Sequence, residues 1–424
     1  MGKRARRDLA TLALATLTLA ALAAAPAIGA QKNEAAPSRP LLAAGTDTND
    51  ARSYYAYGLQ TVYDKPSEAV RGFYWASRIN PTSGEELYAL YTASLLAMSN
   101  SDMTAYYDFF AKKRKPEFLA LDTLLFRAYT INPFLYPNFE HTMIRRRIEA
   151  EVLAENPGMD RVRLNEMMLR YTNATRFAAD MEYADGRLSE ALSSYAKELE
   201  YRGWSKKQRA FVIGDIHARR AHIFYSLGNL DSARVEMTAA VTAMRERDTS
   251  YAVILYRSKA VYEQSLGMIF ERQNQADSAH AAYGTALEED LAYYPAHTKI
   301  AQLQLAKGDT TGALTELDLA AQLQPNDVVA HYAYAVALVT AGRDAAAAAQ
   351  LRTAIADDPY YVAPHLLLAR IADVEQYTQD AVSEYQQYAA LASKSDPNLP
   401  FVKGRLSALA TTVSSTPATT PATP

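Results

Sequence analysis

Residues 294–327 read YPAHTKIAQLQLAKGDTTGALTELDLAAQLQPND, and residues 328–361 read VVAHYAYAVALVTAGRDAAAAAQLRTAIADDPYY. Laid one above the other, the two stretches agree at a stride of 34 residues, and the agreement extends in both directions. Ala279, Ala313, Ala347 and Ala381 keep the stride, as do Gly308 and Gly342, Pro325 and Pro359, and His297, His331 and His365. A period of this length is that of two antiparallel helices stacked again and again. With Ala260, Tyr294, Val328 and Val362 as starts, four units align without a gap. Slot 8 holds Gly267, Ala301, Ala335 and Ala369, and slot 20 the four alanines named first. Small side chains are required there because the two helices of a hairpin approach closely, and a leucine would push them apart. Slot 15 holds Asn274, Gly308, Gly342 and Gln376. A helix often ends on a left-handed residue, easy for Gly and tolerable for Asn, so Gln376 predicts a distorted last turn. Pro325 and Pro359 stop the second helices.

These residues resemble the tetratricopeptide repeat family, whose pattern adds a large residue at slot 24, Ala at slot 27 and Pro at slot 32. Slot 24 is Tyr283, Leu317, Leu351 and Tyr385; slot 27 is Ala286, Ala320, Ala354 and then Tyr388; slot 32 is Leu291, Pro325, Pro359 and then Ser393. The last unit departs at two slots, as a terminal repeat facing a capping helix does, and Phe401 to Val413 is the candidate cap, weakened by Gly404. Upstream, Gly228 to Ala233 and Gly186 to Ala191 look like the same turn and second-helix start, spaced more widely. Lys65-Pro66-Ser67-Glu68-Ala69 with Phe73, Ala76 and Asn80-Pro81 resembles an isolated first repeat. The expected fold is therefore all-α: an α-solenoid of stacked helix-turn-helix repeats with a less regular helical N-terminal part.

The predicted organisation has five parts. Residues 1–30 carry Lys3, Arg4, Arg6 and Arg7, an apolar run from Leu9 to Ala25, and small residues at which cleavage would fall after Ala27 or Ala30. That order marks a secretory signal peptide, with an uncleaved membrane anchor as the alternative. Residues 31–49 read as a flexible linker and 50–160 as a helical region with one degenerate repeat. Residues 161–413 form the repeat array with its cap, and 414–424, rich in Thr and Pro, a disordered tail. Within the helical region, Gly84 to Met98 reads as a helix, and Ile131 to Phe139 (INPFLYPNF) as a packed connection or a loop over the inner surface.

The chain has 44 Lys+Arg, 47 Asp+Glu and no cysteine. The first 30 residues hold four of those cations and one of the acids, so the remainder carries a net charge of −6, which argues against nucleic acid as a partner. Without cysteine there is no disulfide, thiolate ligand or lipid-bearing thiol. An exported chain of this size without disulfides points to a bacterial envelope, in the periplasm or released, with no stable membrane insertion after cleavage.

Candidate chemistry is sparse. His297, His331 and His365 lie on successive rungs about 8–10 Å apart, too far to share a zinc ion with bonds of about 2 Å; packing between hairpins explains them. His217 and His222 are five apart and diverge around a helix. Sequence signatures of serine hydrolases, phosphate-binding loops and dinucleotide folds are missing. The basic runs Lys112 to Lys115 and Arg145 to Arg147 read as solvated faces. No catalytic residue, metal or cofactor is assigned.

What the resemblance implies is a curved array whose first helices line the concave side and whose slots 2, 5, 9 and 12 meet the ligand. The candidate peptide- or protein-binding residues are Gln264, Met268, Thr298, Gln302, Tyr332, Val336, Leu366 and Arg370. The Lys and Asn with which some family members grip a C-terminal carboxylate are missing at such slots, so that subtype is set aside. Of the 29 tyrosines, most are assigned to packing and a minority to the groove. The function expected is a non-catalytic exported scaffold for a peptide or protein partner. An enzyme using residues 84–157, with His141, and a self-associating envelope element are the alternatives.

Overall fold

The structure, a computed structural model, describes residues 36–101, 116–135, 156–160, 163, 175–201, 206–245 and 259–415. Residues 1–35, with the expected signal segment, lie outside it, as do His141, both basic runs, Tyr136 to Phe139 and residues 416–424. Among the described residues there are helices and turns but no strand. No described helix is long and apolar enough to cross a membrane.

The described helices of the N-terminal part are α1 (Ala51–Thr61), α2 (Pro66–Ile79), α3 (Gly84–Ser101) and α4 (Pro116–Ile131). The middle is α5 (Thr175–Ala184), α6 (Leu188–Glu200), α7 (Lys206–Ser226) and α8 (Leu230–Arg245). The regular array follows as four hairpins: α9 (Lys259–Arg272) with α10 (Ala276–Glu289), α11 (Tyr294–Ala306) with α12 (Thr310–Leu323), α13 (Val328–Thr340) with α14 (Asp344–Asp357), and α15 (Val362–Val374) with α16 (Thr378–Leu391). The last helix among the described residues is α17 (Leu399–Ser415). In the array each helix packs on the next, so the hairpins nest in chain order.

The small slots are where the helices meet. Ala301, Ala335 and Ala369 on the first helices and Ala279, Ala313, Ala347 and Ala381 on the second have no exposed surface. Gly267 shows how tight the crossing is: a Cβ added there would lie 2.4 Å from the ring of Tyr283, the slot 24 residue of the same hairpin. Gly58 of α1 stands in the same relation to Phe73 of α2, at 2.5 Å. The isolated first repeat therefore packs as the regular ones do. Leu317, Leu351, Tyr283 and Tyr385 at slot 24 are buried, and Ala286, Ala320 and Ala354 behind them let the next hairpin close down.

The turns repeat as well. Gly308 and Gly342 have φ of +83° and +68°, and the residue after each donates its N–H to the carbonyl five before it: Asp309 to Gln304 at 2.9 Å, Arg343 to Leu338 at 2.8 Å. This closes the last helical turn. Gln376, expected to distort the turn, does not. Its φ is +63°, and Tyr377 N–H reaches Ala372 O at 2.8 Å like the others. The hairpin holds the left-handed geometry, and the strain stays local to Gln376. The second helices end two residues before Pro325 and Pro359, and Asp327 begins α13 by accepting from the N–H groups of Val329 and Ala330.

At the far end, α17 covers the last hairpin. Leu399, Val402 and Leu409 pack on Tyr385 and Tyr388, so the tyrosine at slot 27 fills space that a further repeat would otherwise occupy. Arg405 clamps Asp373 at 2.7 and 2.9 Å. Gly404 has no atom within 4 Å of where a Cβ would stand.

Replacing Ala313 or Ala347 by Leu is expected to force a hairpin apart at a cost of about 1–3 kcal/mol, read as a lower denaturant midpoint; an unchanged midpoint would contradict the packing account. Gln376→Gly removes a left-handed strain of about 1 kcal/mol and is expected to raise the midpoint, whereas Gln376→Ala should not.

Candidate functional site

The three histidines in register occupy one repeated setting. At slot 4 each imidazole reaches across its hairpin to slot 23: His297 Nδ1 lies 2.6 Å from Glu316 Oε2, His331 Nδ1 2.6 Å from Gln350 Oε1, and His365 Nδ1 2.7 Å from Glu384 Oε2. Nε2 faces the carbonyl of slot 32 in the preceding unit, Pro325 at 2.9 Å for His331, with longer approaches of 3.4 Å to Leu291 for His297 and to Pro359 for His365. Both ring nitrogens are thus engaged and all three rings are buried. Each ties the two helices of a hairpin to the loop that enters it. Among the described residues no group of three or more His, Asp or Glu side chains could hold a metal.

His217 and Glu236, also 19 residues apart, make the same contact at 2.6 Å between α7 and α8. Counting back from His217 puts Ala221 at slot 8, Gly228 at slot 15, Ala233 at slot 20, Met237 at slot 24 and Ala240 at slot 27, and the four side chains other than Gly228 are fully buried. α7–α8 is therefore a fifth hairpin in full register. Its turn and second-helix start, Gly228 to Ala233, are legible in the sequence; the histidine-to-acid spacing of 19 adds the first helix. The fold is that of tetratricopeptide repeats.

The candidate ligand-facing residues of this tetratricopeptide array divide into two groups. At slot 9, Gln302, Val336 and Arg370 are exposed on α11, α13 and α15, and at slot 5 Thr298, Tyr332 and Leu366 are half-buried one turn earlier. Tyr332 meets Tyr361 edge-on at 5.5 Å between ring centres, and the Arg370 guanidinium lies 5.1 Å from the ring centre of Phe401 in α17. On α9 the expectation fails for Gln264. It is 2 % exposed, donates to Thr130 O of α4 at 3.0 Å and accepts from the Tyr293 hydroxyl. Met268, half-buried, packs into the apolar clusters on both sides of α9. The reason is that the N-terminal part folds back onto the array, which the repeat pattern does not reveal.

That return follows the loops between hairpins. Phe126 meets Tyr293 edge-on, Thr130 and Tyr294 share a hydrogen bond of 3.3 Å, and Arg127 lies 3.8 Å from Asp327. Further along, Trp75 meets Tyr360 edge-on at 4.8 Å, and Arg78 Nε lies 3.0 Å from Asp358 Oδ2. Burial outweighs the Arg78 charge, so the Asp358 carboxyl is pushed up to about 6. Phe134, within the segment read as a connection or an inner-surface loop, stacks on Tyr225 of α7 at 3.8 Å. Its described part, 131–135, is a packed connection.

Nor is residues 36–49 a flexible linker. The segment is pinned to α2 by Arg71 and Trp75 and to the loop after α16 by Asp47 and Asn49. In the region considered for catalysis, α3 and α4 bury Leu87, Tyr91, Leu95, Leu121 and Leu125 against one another. Glu86 of α3 is also buried. Its Oε1 accepts a 3.4 Å bond from Asn80 and its Oε2 has no hydrogen-bond partner. Desolvation, only partly offset by Asn80 and Ser83, pushes its carboxyl up to about 7.

No family model matches the chain, and no curated protein matches it. Solved structures are similar to parts of it. The C-terminal part of a TPR repeat-containing protein from Cytophaga hutchinsonii is 18% identical, with 50% of this chain and 78% of that one covered and a TM-score of 0.40. PilF of Pseudomonas aeruginosa is 16% identical over 50% and 88%, at 0.40. Yeast Tom70 is 14% identical over 87% and 90%, at 0.40.

His331→Ala leaves Gln350 and the Pro325 carbonyl without their partner and is expected to cost about 1–3 kcal/mol. His280→Ala, at an exposed site, should stay within about 0.5 kcal/mol; equal losses would refute the bridging role. Because its folded carboxyl titrates above the ordinary carboxylate range, Glu86 favours the fold below about pH 4.5, and that advantage disappears as pH rises to about 7. Glu86→Gln should therefore gain stability over wild type progressively across that window and be the more stable chain at pH 8, as measured by urea melts at each pH.

Proposed function

We propose that the chain is an exported, non-catalytic scaffold that holds a peptide or protein partner along the first helices of its array. The observation that carries this reading is the ladder at slots 5 and 9. Hairpin packing, the histidine bridges and the N-terminal part account for slots 4, 8, 20 and 24, but they leave Gln302, Val336 and Arg370 exposed at the same stride on three successive helices. A surface that repeats at the hairpin spacing suits an extended peptide or a partner helix, which repeats its own anchors, better than a compact metabolite. The ladder runs from polar to apolar to cationic, so the proposed partner has an apolar centre with an acidic group toward the Arg370 end. Gln264 is not part of this surface and Met268 is at most its margin. The proposed groove therefore begins at α11.

Export rests on the first 30 residues, whose order of cationic, apolar and small residues is that of a cleavable signal. In this reading the scaffold works in the periplasm or outside the cell.

With purified full-length chain on a peptide library, Tyr332→Ala and Arg370→Glu are each expected to weaken the selected peptides about tenfold or more, as central interface residues do. Peptides that bind both variants as well as wild type would refute the groove. Fractionation with N-terminal sequencing checks export: the expected mature chain starts at Ile28 or Gln31, and an intact Met1 in the cytoplasm would overturn it.

A further inference from the structure

Residues 36–49 (APSRPLLAAGTDTN) are held in the way a bound peptide is held. The segment has no helix or strand; Leu41 is 94 % exposed, whereas Leu42 packs against the cluster of Tyr54 and Trp75. The body of the protein also grips its main chain. Trp75 Nε1 donates to Pro37 O at 2.8 Å, and Arg71 donates to Ser38 O at 3.0 Å and to Arg39 O at 3.3 Å. Such bonds read an extended backbone and not its sequence.

Among the side chains of the segment, Arg39 is the one held by aromatic rings. The Arg39 guanidinium lies 4.5 Å from the ring centre of Trp75, 5.4 Å from that of Tyr360 and 5.7 Å from that of Tyr54. All three distances are within the range in which an aromatic face attracts a cation. It donates to Thr48 O at 2.8 Å and more weakly to the Tyr54 hydroxyl at 3.4 Å, and among the described residues no carboxylate pairs with it. Trp75 and Tyr54 are buried and so are held as cage walls by the fold around them. Pro37 and Pro40 bracket Arg39, and each ring fixes φ near the extended value and removes an N–H that would need a partner. Tyr54 and Trp75 come from α1 and α2, whereas Tyr360 comes from the loop before α15, beside Asp357, whose carbonyl accepts from Arg78 279 residues away. Filling the cage therefore also joins the N-terminal part to the array.

We infer that Tyr54, Trp75 and Tyr360 form a guanidinium-recognition site for an extended, proline-flanked arginine peptide, filled in this structure by the chain's own Arg39. The site lies apart from the slot 5 and slot 9 ladder, so it stands or falls independently of the groove proposed above. A tethered segment competes at an effective concentration that can reach the millimolar range, so the intact chain masks its own site. Release of the strap opens the site to an outside peptide of the same chemistry.

The test uses the full-length chain and a fluorescent synthetic peptide of residues 36–49, with a second peptide carrying Arg39→Ala, read by anisotropy. The Arg39→Ala chain is expected to bind the arginine peptide at least about tenfold tighter than the wild-type chain does, and about tenfold tighter than it binds the alanine peptide. Adding Trp75→Leu to that chain should abolish the difference between peptides, and Arg370→Glu should leave it unchanged. Should Arg39→Ala not fold, as judged by its helical circular dichroism and melt, the chain with Asp47→Ala and Asn49→Ala loosens the other end of the strap and keeps the cage whole. It is expected to show the same preference for arginine. A folded variant that binds the two peptides alike, or binds neither, overturns the inference.

Discussion

Everything in this molecule depends on how closely two helices can cross. At slots 8 and 20 the side chain is alanine or glycine and is completely enclosed, and at Gly267 and Gly58 even a methyl group would collide with the aromatic ring opposite. That contact sets the angle of each hairpin. The next hairpin then docks on the alanines at slot 27, and the slot 4 side chain bridges the two helices and the incoming loop. Interiors packed at crystal-like density accept little change of volume at such points, so the small residues constrain the architecture more than the large ones do.

Because the crossings, the turns and the histidine bridges take up a fixed set of positions, what is left for recognition is limited and periodic. The slot 4 histidines of the array have partners that are themselves part of the repeat: a slot 23 acceptor and a slot 32 carbonyl. The chemistry in this part of the molecule is therefore structural. Among the residues left exposed at the hairpin stride are Gln302, Val336 and Arg370 at slot 9 of the first helices.

The inter-hairpin loops are where the N-terminal part returns. α4 touches the entry of α11, α2 touches the loop before α15, and residues 36–49 reach the loop after α16. The contacts are made by a few side chains over long separations: an edge-on tryptophan, an arginine beside a buried aspartate, a caged guanidinium. They remove Gln264 from the accessible surface and place Asp358 where desolvation overcomes its ion pair. A short list of interactions thus decides which parts of the array face solvent.

The stride of 34 was visible in the chain itself, and with it the helical hairpins, their small-residue crossings, the left-handed turns at Gly308 and Gly342 and the structural nature of His297, His331 and His365. These depend on contacts within one unit or between neighbours, and such contacts repeat whenever the sequence repeats. The α7–α8 unit was harder to see only because its neighbour stands at a different offset. Gln376 keeps the left-handed turn because a hairpin can impose on a single residue a conformation its own preference disfavours. The fold-back of the N-terminal part, the burial of Gln264 and the guanidinium cage of Tyr54, Trp75 and Tyr360 could be decided only by the tertiary structure. They join residues from 134 to 347 positions apart that share no period, and where a non-repeating segment comes to rest is settled by the shape of the whole surface it meets.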